Sequence, residues 1–450
     1  MKKKVVSLLL MTAMAVSVFA GCGKKDDGAA EAKVEISSGG KVLNIYCWNE
    51  EFKSRVADHY DGYEVVDATT GKIGDVTVKW NITPSDNNAY QNNLDEALLK
   101  QADAAADDKI DIFLVEADYA KKYVDTDYVV PVADLGITAD DVKNQYKYTQ
   151  DVMTDANGKL KGLSWQACPA VMFYNREIAN EVFGTDDPAT IQGYVKDWAT
   201  FAETANTIKE KGYNVMCSVN DSYRVYSNNV TSGWVTEDNK INIDANIKKW
   251  VDDSKKLVDA GVTGTYDLWS NEWNAGMFEE NKVFAYFGPA WLINFCMGAG
   301  TEGSVATNGG WNLTEGPQGF FWGGTWIAAA NYTDNADIIK DIMLALTTDE
   351  DVMTGIVTKD DDFVNNKPAM EAMAQDSTYS SAVFGGINPL SIYVKGAEAV
   401  DASYLGKYDQ GCNESFQTAM KNYFEGKATY EEALELFYKD VIEKYPNLSK

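Results

Sequence analysis

The sequence predicts an α/β fold in two domains, and three observations support this prediction. The chain has 450 residues, which is enough for two domains of ordinary size. After the first 40 residues, segments with a strand pattern alternate with a segment of helical periodicity. Further segments with one apolar helical face follow along the chain. Alternation of this kind is typical of a sheet whose strands are joined by right-handed helical crossovers.

The first 22 residues begin with the layout of a secretory signal. Three lysines precede an apolar run, Val5–Ala20, which is shorter than the ~20 residues that a membrane-spanning helix needs. The segment Phe19–Cys22 (FAGC) resembles the bacterial lipobox, although Phe19 stands where leucine is usual. This resemblance implies cleavage before Cys22 and lipid on its thiol, which would anchor the protein at the outer face of the cytoplasmic membrane. An ordinary signal peptide is the alternative.

A flexible tether is predicted after the anchor. Residues 23–40 are rich in Lys, Asp, Ala, Gly and Ser and contain few large apolar side chains. Such a segment cannot bury enough apolar surface to order itself. We therefore expect the folded part of the chain to begin near Lys41.

The first folded segments alternate between strand and helix. Lys41–Trp48 and Val76–Ile82 have strand patterns, and Asn92–Gln101 has helical spacing. Ile110–Val115 is almost continuously apolar, as expected of a strand that is buried on both faces. These segments predict a sheet with helices packed on it.

Later segments predict further helices and one turn. Asp197–Gly212 and Asp337–Leu346 each carry an apolar stripe with helical spacing. Thr429 and Glu432 form a capping-box pattern at the start of a last helix. Asp155–Lys159 (DANGK) is typical of a hairpin turn.

Composition excludes several functional classes. The chain has 68 acidic residues against 40 Lys and Arg, a net charge of −28, which argues against a nucleic-acid partner. His59 is the only histidine, so histidine-based triads and multi-histidine metal sites are excluded. The cysteines after Cys22 show no CxxC spacing, although one disulfide stays open, and nucleotide-binding loop motifs are absent. We expect neither a metal nor a cofactor.

Four segments resemble the carbohydrate-binding proteins of bacterial ABC importers (extracellular solute-binding protein family 1, the maltose-binding type). They are Gly158–Ile178, Met277–Trp291, Gly310–Leu346 and Tyr408–Phe437. The first contains the Tyr-Asn end of a family strand, and the second contains a Gly-Pro-Trp signature with Ala290 inserted before the tryptophan. The order and spacing of the four segments carry the resemblance, which covers nearly the whole chain after the tether.

The resemblance implies a two-lobed, periplasmic-binding-protein-like fold of type II. Each lobe would be an α/β sheet with flanking helices, and about three crossing segments would form a hinge. We place the crossings near residues 165–170, 319–324 and 362–368. The lobes are then 41–164 with 322–362 and 165–321 with 363–450.

Strand ends predict one group of ligand contacts. In open α/β sheets, ligands bind beyond the carboxyl ends of strands, and sugar hydroxyls need partners that donate and accept hydrogen bonds. The residues that follow the first three predicted strands are Trp48, Asn49, Glu50, Asp86, Asn87, Glu116 and Asp118. A core-capping role for Trp48 and simple loop solvation for Glu116 are the alternatives.

Tryptophans predict the second group of contacts. Six of the twelve lie between residues 269 and 326, more indole N–H groups than a core usually accommodates. Trp291 occupies the family's sugar-stacking position, while Trp322 and Trp326 flank two glycines at a predicted crossing. An ordinary strand position is the alternative for Trp326. The other predicted contacts are Trp165 at the first crossing, Asn388 in a GGINPL loop and Asp409 in a YDQG segment.

Other conspicuous side chains are assigned to the core or to the surface. Trp80, Trp234 and Trp250 are predicted to be core residues, and Asp360–Asp362 is interpreted as a solvated acidic run.

These observations predict a lipid-anchored extracytoplasmic receptor rather than an enzyme. It would bind an oligosaccharide in a cleft between the lobes and deliver it to the permease subunits of an ABC importer, acting as a monomer. Two alternatives stay open. One is a secreted glycan hydrolase that uses two of the many carboxyl groups. The other is a receptor of the same fold that holds a polyamine between aromatic rings and carboxylates, with an affinity that falls as ionic strength rises.

Overall fold

The computed structural model describes residues 33–281, 283–298 and 300–450. The predicted signal peptide, the lipid attachment at Cys22 and tether residues 23–32 lie outside the described residues. The strands are β1 (Val42–Cys47), β2 (Tyr63–Val65), β3 (Thr70–Ile73), β4 (Val76–Ile82), β5 (Ile112–Glu116), β6 (Leu163–Ser164), β7 (Pro169–Asn175), β8 (Ala285–Pro289), β9 (Trp311–Thr314), β10 (Phe320–Phe321) and β11 (Thr325–Ala329).

Helices flank these strands along the whole described chain. They are α1 (Glu51–His59), α2 (Ala89–Leu98), α3 (Ala117–Val124), α4 (Lys147–Val152), α5 (Arg176–Phe183), α6 (Pro188–Val195), α7 (Trp198–Glu210), α8 (Asn220–Ser227), α9 (Ala245–Asp259), α10 (Asn271–Ala275), α11 (Leu292–Phe295), α12 (Ala336–Thr348), α13 (Glu350–Asp360), α14 (Lys367–Gln375), α15 (Leu390–Glu398), α16 (Asp409–Phe424) and α17 (Tyr430–Lys444). Within the described ranges, no helix combines the length and the apolar composition that crossing a bilayer requires.

The chain divides into two compact units. Among the described residues, unit 1 is the chain up to Trp165 with Thr325–Gly355, and unit 2 is Gln166–Gly324 with Ile356–Lys450. The chain therefore passes from one unit to the other three times. The lobe boundaries and hinge crossings stated above stay predictions.

Unit 1 is built on a seven-stranded sheet in the order β2-β3-β4-β1-β5-β11-β6. Strand β1 is parallel to β4 and β5, whereas β11 is antiparallel to β5 and β6. The predicted strands and the helix between them are confirmed, and consecutive residues of β5, Ile112–Val115, are buried, so both faces of this central strand are covered. The β2–β3 hairpin was missed because its short strands are largely exposed and lack an apolar pattern. The parallel order brings the carboxyl ends of β1, β4 and β5 to one edge.

Unit 2 has a smaller antiparallel sheet and a large aromatic core. Strand β7 pairs with β8, β9 and β10 and is buried along its whole length. Trp234 and Trp250 are buried among α8, α9, α16 and α17, together with Phe416 and Phe437. The core prediction for these two tryptophans is confirmed, as it is for Trp80 in unit 1.

Local signals read from the sequence also agree with the structure. The capping box at the start of α17 is confirmed, since Thr429 and Glu432 each accept a hydrogen bond from the other's backbone N–H. The Asp155–Lys159 turn is confirmed by a backbone hydrogen bond between its end residues, 3.0 Å long. The cysteines of the described chain are free thiols, so no disulfide joins them.

The predicted tether is too long at its C-terminal end. The backbone N–H groups of Ser37 and Gly40 donate to the carbonyls of Thr333 (3.0 Å) and Asp334 (2.9 Å). The N–H of Glu35 donates to the side-chain oxygen of Asn331 at 2.8 Å. Pairing of backbone groups, not apolar burial, orders this segment, which explains why its composition indicated a tether. The prediction was wrong for residues 33–40.

The acidic run at the end of α13 is not a solvated surface. Asp361 has a left-handed φ of +52°, and the chain turns inward there, leaving Asp362 only 1% exposed. The side-chain N–H of Gln166 donates to Asp362 at 2.8 Å. Burial raises the pKa of Asp361 above its usual value. The prediction was wrong because a short stretch of charge does not show which way the backbone turns at a helix end.

Candidate ligand-binding site

The carboxyl edge of the unit 1 sheet carries a partly exposed tryptophan. Trp48 follows β1 and contacts the rings of Tyr90 and Tyr119 edge-on, at centroid distances of 5.5 and 6.4 Å. Tyr90 is itself fixed, because its hydroxyl donates to the carbonyl of Leu114 at 2.6 Å. Trp48 is thus oriented by α2 and α3 while part of its indole stays open to solvent.

The polar residues at this edge make contacts at the starts of helices. Asn49 accepts a hydrogen bond from the backbone N–H of Glu51 (3.0 Å), and Glu116 accepts one from that of Asp118 (2.8 Å). Glu50 is exposed and pairs with Lys53 at 2.9 Å. These contacts orient the carboxylates and the amide, and the predicted role of each in binding a hydroxyl stays a prediction.

Asp86 and Asn87 lie on the exposed turn that follows β4. Asp86 begins this turn, and Asn87 and Asn88 adopt left-handed backbone angles before α2 begins. Because β4 is parallel to β1, the turn belongs to the same edge of the sheet as Trp48. The predicted binding role of Asp86 stays a prediction.

Unit 2 has a group of aromatic side chains that we call the aromatic cluster: Trp269, Trp291, Trp322 and Phe295, of which Trp322 is buried and the others are partly exposed. The planes of Trp269 and Trp291 are 12° from parallel, with centroids 6.1 Å apart. Trp322 meets Trp291 edge-on at 5.1 Å, and Phe295 does so from another side at 5.9 Å. Trp269 and Phe295 are 50% and 52% exposed, so the cluster presents apolar faces to solvent.

The position of Trp291 within the cluster is fixed by its neighbours. Its indole N–H donates to the backbone carbonyl of Trp322 at 3.0 Å. A Cβ atom on Gly323 would lie 3.2 Å from the indole ring, and Gly323 has a φ of +74°. We expected the glycines here to let a ligand approach the backbone; the structure shows that Gly323 makes room for the ring of Trp291.

A cationic side chain borders the cluster. The guanidinium carbon of Arg224 lies 5.1 Å from the centroid of Trp322, in the geometry of a cation–π contact. The indole face that a cationic ligand would seek is therefore already next to a positive charge. This arrangement disfavours a polyamine at Trp322.

A buried carboxyl group, that of Asp221, binds Trp273, which in turn contacts Trp269 of the aromatic cluster. Trp273 is fully buried against Trp269, and its indole N–H donates to Asp221 at 2.6 Å. The other oxygen of Asp221 accepts the backbone N–H of Ser218 at 2.9 Å. Burial raises the pKa of Asp221 to about 7.

This raised pKa predicts a pH dependence of stability. The folded chain holds the proton of Asp221 more tightly than the unfolded chain, so the stabilisation is complete below the ordinary pKa of 3.8 and is lost as the pH rises through about 7. Relative to Asp221→Asn, which does not titrate, the free energy of unfolding of the wild type should fall by about 2–3 kcal/mol between pH 5 and pH 8. Urea unfolding at several pH values measures this, and parallel curves for the two proteins would contradict it.

Two of the predicted tryptophans lie inside unit 1. Trp165 is fully buried and stacks on Phe52 at 5.4 Å. Trp326 occupies β11, is 1% exposed and donates its indole N–H to the carbonyl of Thr149 at 2.9 Å. Neither presents a face to solvent in this structure. The placement favours the strand-residue alternative for Trp326.

The polar atoms of the two remaining predicted contacts are used within unit 2. Asn388 donates to the carbonyls of Met373 (2.8 Å) and Asp376 (3.1 Å) and accepts from the backbone N–H of Leu390 (3.0 Å). Asp409 begins α16 and accepts the N–H of Gly406 at 3.0 Å. These bonds favour a turn-stabilising role for Asn388.

The structure therefore brings Trp291 and Trp322 together in unit 2, and it groups Trp48, Asn49, Glu50, Asp86 and Glu116 at one sheet edge in unit 1. The sequence reasoning missed Trp269 as a neighbour of Trp291 and Arg224 as a neighbour of Trp322. Trp269 was available as a signal, since it belongs to the tryptophan-rich segment. Arg224 gave none, because it lies far from that segment in the chain.

Comparison with known proteins identifies the family. The profile of a family described as bacterial extracellular solute-binding protein matches residues 64–383. The match covers most of the chain, and the chain belongs to this family of extracellular binding proteins. Among proteins with curated functions, none is significantly similar in sequence.

Solved structures confirm the predicted two-lobed, periplasmic-binding-protein-like fold. An extracellular solute-binding protein of family 1 superposes with a TM-score of 0.72 at 18% identity, covering 89% of this chain and 99% of its own. The binding protein from B. animalis subsp. lactis Bl-04, in complex with β-1,6-galactobiose, gives 0.67 at 19% identity, with coverages of 91% and 99%. The sugar-binding protein MalE from Xanthomonas citri gives 0.67 at 14% identity, with coverages of 90% and 98%.

Proposed function

We propose that this protein is a lipid-anchored receptor that binds an oligosaccharide and delivers it to the permease subunits of an ABC importer. The observation that carries the proposal is the aromatic cluster, in which Trp269, Trp291 and Phe295 are partly exposed. Aromatic faces suit the apolar C–H faces of sugars, and a soluble protein rarely leaves such a group exposed without a function.

The sheet edge of unit 1 supplies the other kind of contact that a sugar needs. Trp48 offers a further indole, and Asn49, Glu50, Asp86 and Glu116 offer oxygen acceptors and an amide donor for hydroxyl groups. The ligands bound in similar structures, β-1,6-galactobiose among them, support a saccharide as the ligand class. The Arg224 guanidinium beside Trp322 speaks against a polyamine.

Calorimetry with the chain from residue 23 onward tests the proposal. A panel of saccharides from one to four units, with spermidine beside it, should show micromolar or tighter binding of at least one saccharide. That affinity should scarcely change between low and high salt, because the ligand is uncharged. The proposal would be overturned if no saccharide bound, or if spermidine alone bound with an affinity that salt weakened.

The anchor is tested separately in cells. The full chain should follow the membrane fraction and incorporate a fatty-acid label, whereas Cys22→Ser should do neither, because the thiol carries the lipid. A membrane-bound, labelled Cys22→Ser variant would contradict the anchor and leave the sugar proposal untouched.

A further inference from the structure

Trp269 has an unusual backbone for a bulky residue. Its φ is +72°, in the left-handed region that side chains other than those of Gly, Asn and Asp rarely adopt. Half of the residue is nevertheless exposed, so burial of the ring does not account for the strained geometry. Strain of this kind persists where surrounding structure enforces it, and it is concentrated at functional sites.

The loop around Trp269 is held from several sides. The hydroxyl of Ser218 and the amide of Asn220 donate to the carbonyl of Tyr266, at 2.6 and 3.0 Å. Asp267 accepts the N–H of Ser270 at 3.1 Å through its carbonyl and pairs with Lys421 at 2.9 Å through its carboxylate. These contacts hold the loop on both sides of the left-handed residue.

The ring of Trp269 stacks on that of Trp291 and is itself partly exposed. The two indoles are nearly parallel, with centroids 6.1 Å apart. Trp273 contacts Trp269 from the interior at 5.6 Å. One side of Trp269 is thus supported by protein while the residue stays half-exposed beside the predicted sugar-stacking residue.

We propose that Trp269 is a second stacking residue, which contacts the sugar unit next to the one on Trp291. The inference rests on the proposed function and deepens it. The preferred ligand then has at least two linked sugar units, and the gain in affinity from the second unit depends on Trp269.

Two substitutions distinguish the effect of the indole ring of Trp269 from the effect of its left-handed backbone. Trp269→Asn removes the indole and retains a residue that tolerates the left-handed region, whereas Trp269→Tyr retains an aromatic face. Tyr194→Asn is the matched control, because Tyr194 is also a partly exposed ring of unit 2 that stacks on a neighbour, Phe183, at 4.4 Å. Thermal unfolding of each variant checks that the fold is retained.

The measurement is the affinity for a homologous saccharide series, starting from the shortest member that the wild type binds. In the wild type, adding the sugar unit next to the one on Trp291 should raise the affinity. In Trp269→Asn this gain in affinity should be about tenfold smaller, because the apolar surface buried on one stacked face contributes about that much. Trp269→Tyr should retain most of that gain, and Tyr194→Asn all of it.

The outcomes distinguish this inference from the proposed function. If the wild type binds saccharides and Trp269→Asn shows the wild-type gain, or loses affinity equally for every length, the second stacking role is overturned alone. If the wild type binds no saccharide, the proposed function fails and this inference fails with it.

Discussion

Replacing Trp291 with alanine is expected to weaken saccharide binding about 100-fold, or about 3 kcal/mol. The indole is half-buried and is fixed by its N–H bond to Trp322 and by the close approach of Gly323. Because the side chain is already ordered, it loses little conformational entropy when a sugar stacks on it. Tryptophans are also enriched among the few residues that carry most of the binding energy in protein interfaces. Calorimetry with the best saccharide of the panel measures the loss.

A matched tryptophan controls for indirect effects. Trp198 is also half-buried in unit 2, stacks on Tyr226 at 4.4 Å and donates one N–H bond, to Gln318 at 3.1 Å, but it lies outside the aromatic cluster. Trp198→Ala should lower stability while leaving affinity unchanged. Equal losses of affinity in both variants would mean that Trp291 acts only through the fold.

Replacing Trp326 with alanine is expected to destabilise the protein by about 3–5 kcal/mol and to leave the affinity of the folded fraction unchanged. Trp326 lies in β11, which pairs with β5 and β6, and its side chain is buried. Its loss opens a cavity and leaves the carbonyl of Thr149 without this donor. Urea unfolding, followed by tryptophan fluorescence and by circular dichroism, measures the change, because a chain of two units need not unfold in one step.

Trp326→Phe separates the two contributions. It keeps most of the buried volume and removes the N–H donor, so it should cost less, about 1–2 kcal/mol. A Trp326→Ala variant with wild-type stability and no saccharide binding would restore the sugar-stacking role that the sequence suggested.

The two tryptophan predictions differ in outcome because of where the chain places each ring. Trp291 and Trp326 look alike in the sequence, since both lie in the tryptophan-rich segment and near small residues. Trp326 falls in a strand that is covered on both faces, whereas Trp291 precedes a short helix on the surface of unit 2. Sequence reasoning had listed the strand position as the alternative, but nothing in the local pattern decided between the two.

The sequence by itself determined the class of fold, the order of strands and helices around β1, β4 and β5, the aromatic core of unit 2 and the family. These features depend on apolar periodicity, capping patterns and the order of motifs, which are all local or linear properties of the chain. The tertiary structure alone decided that residues 33–40 pair with 331–337, that Asp362 is buried, and that Trp269 and Arg224 lie beside the predicted stacking residues. Each of these features depends on a contact between residues distant in sequence or on the direction of the backbone at one turn. Long-range contacts and turn directions do not produce a periodic pattern in the sequence.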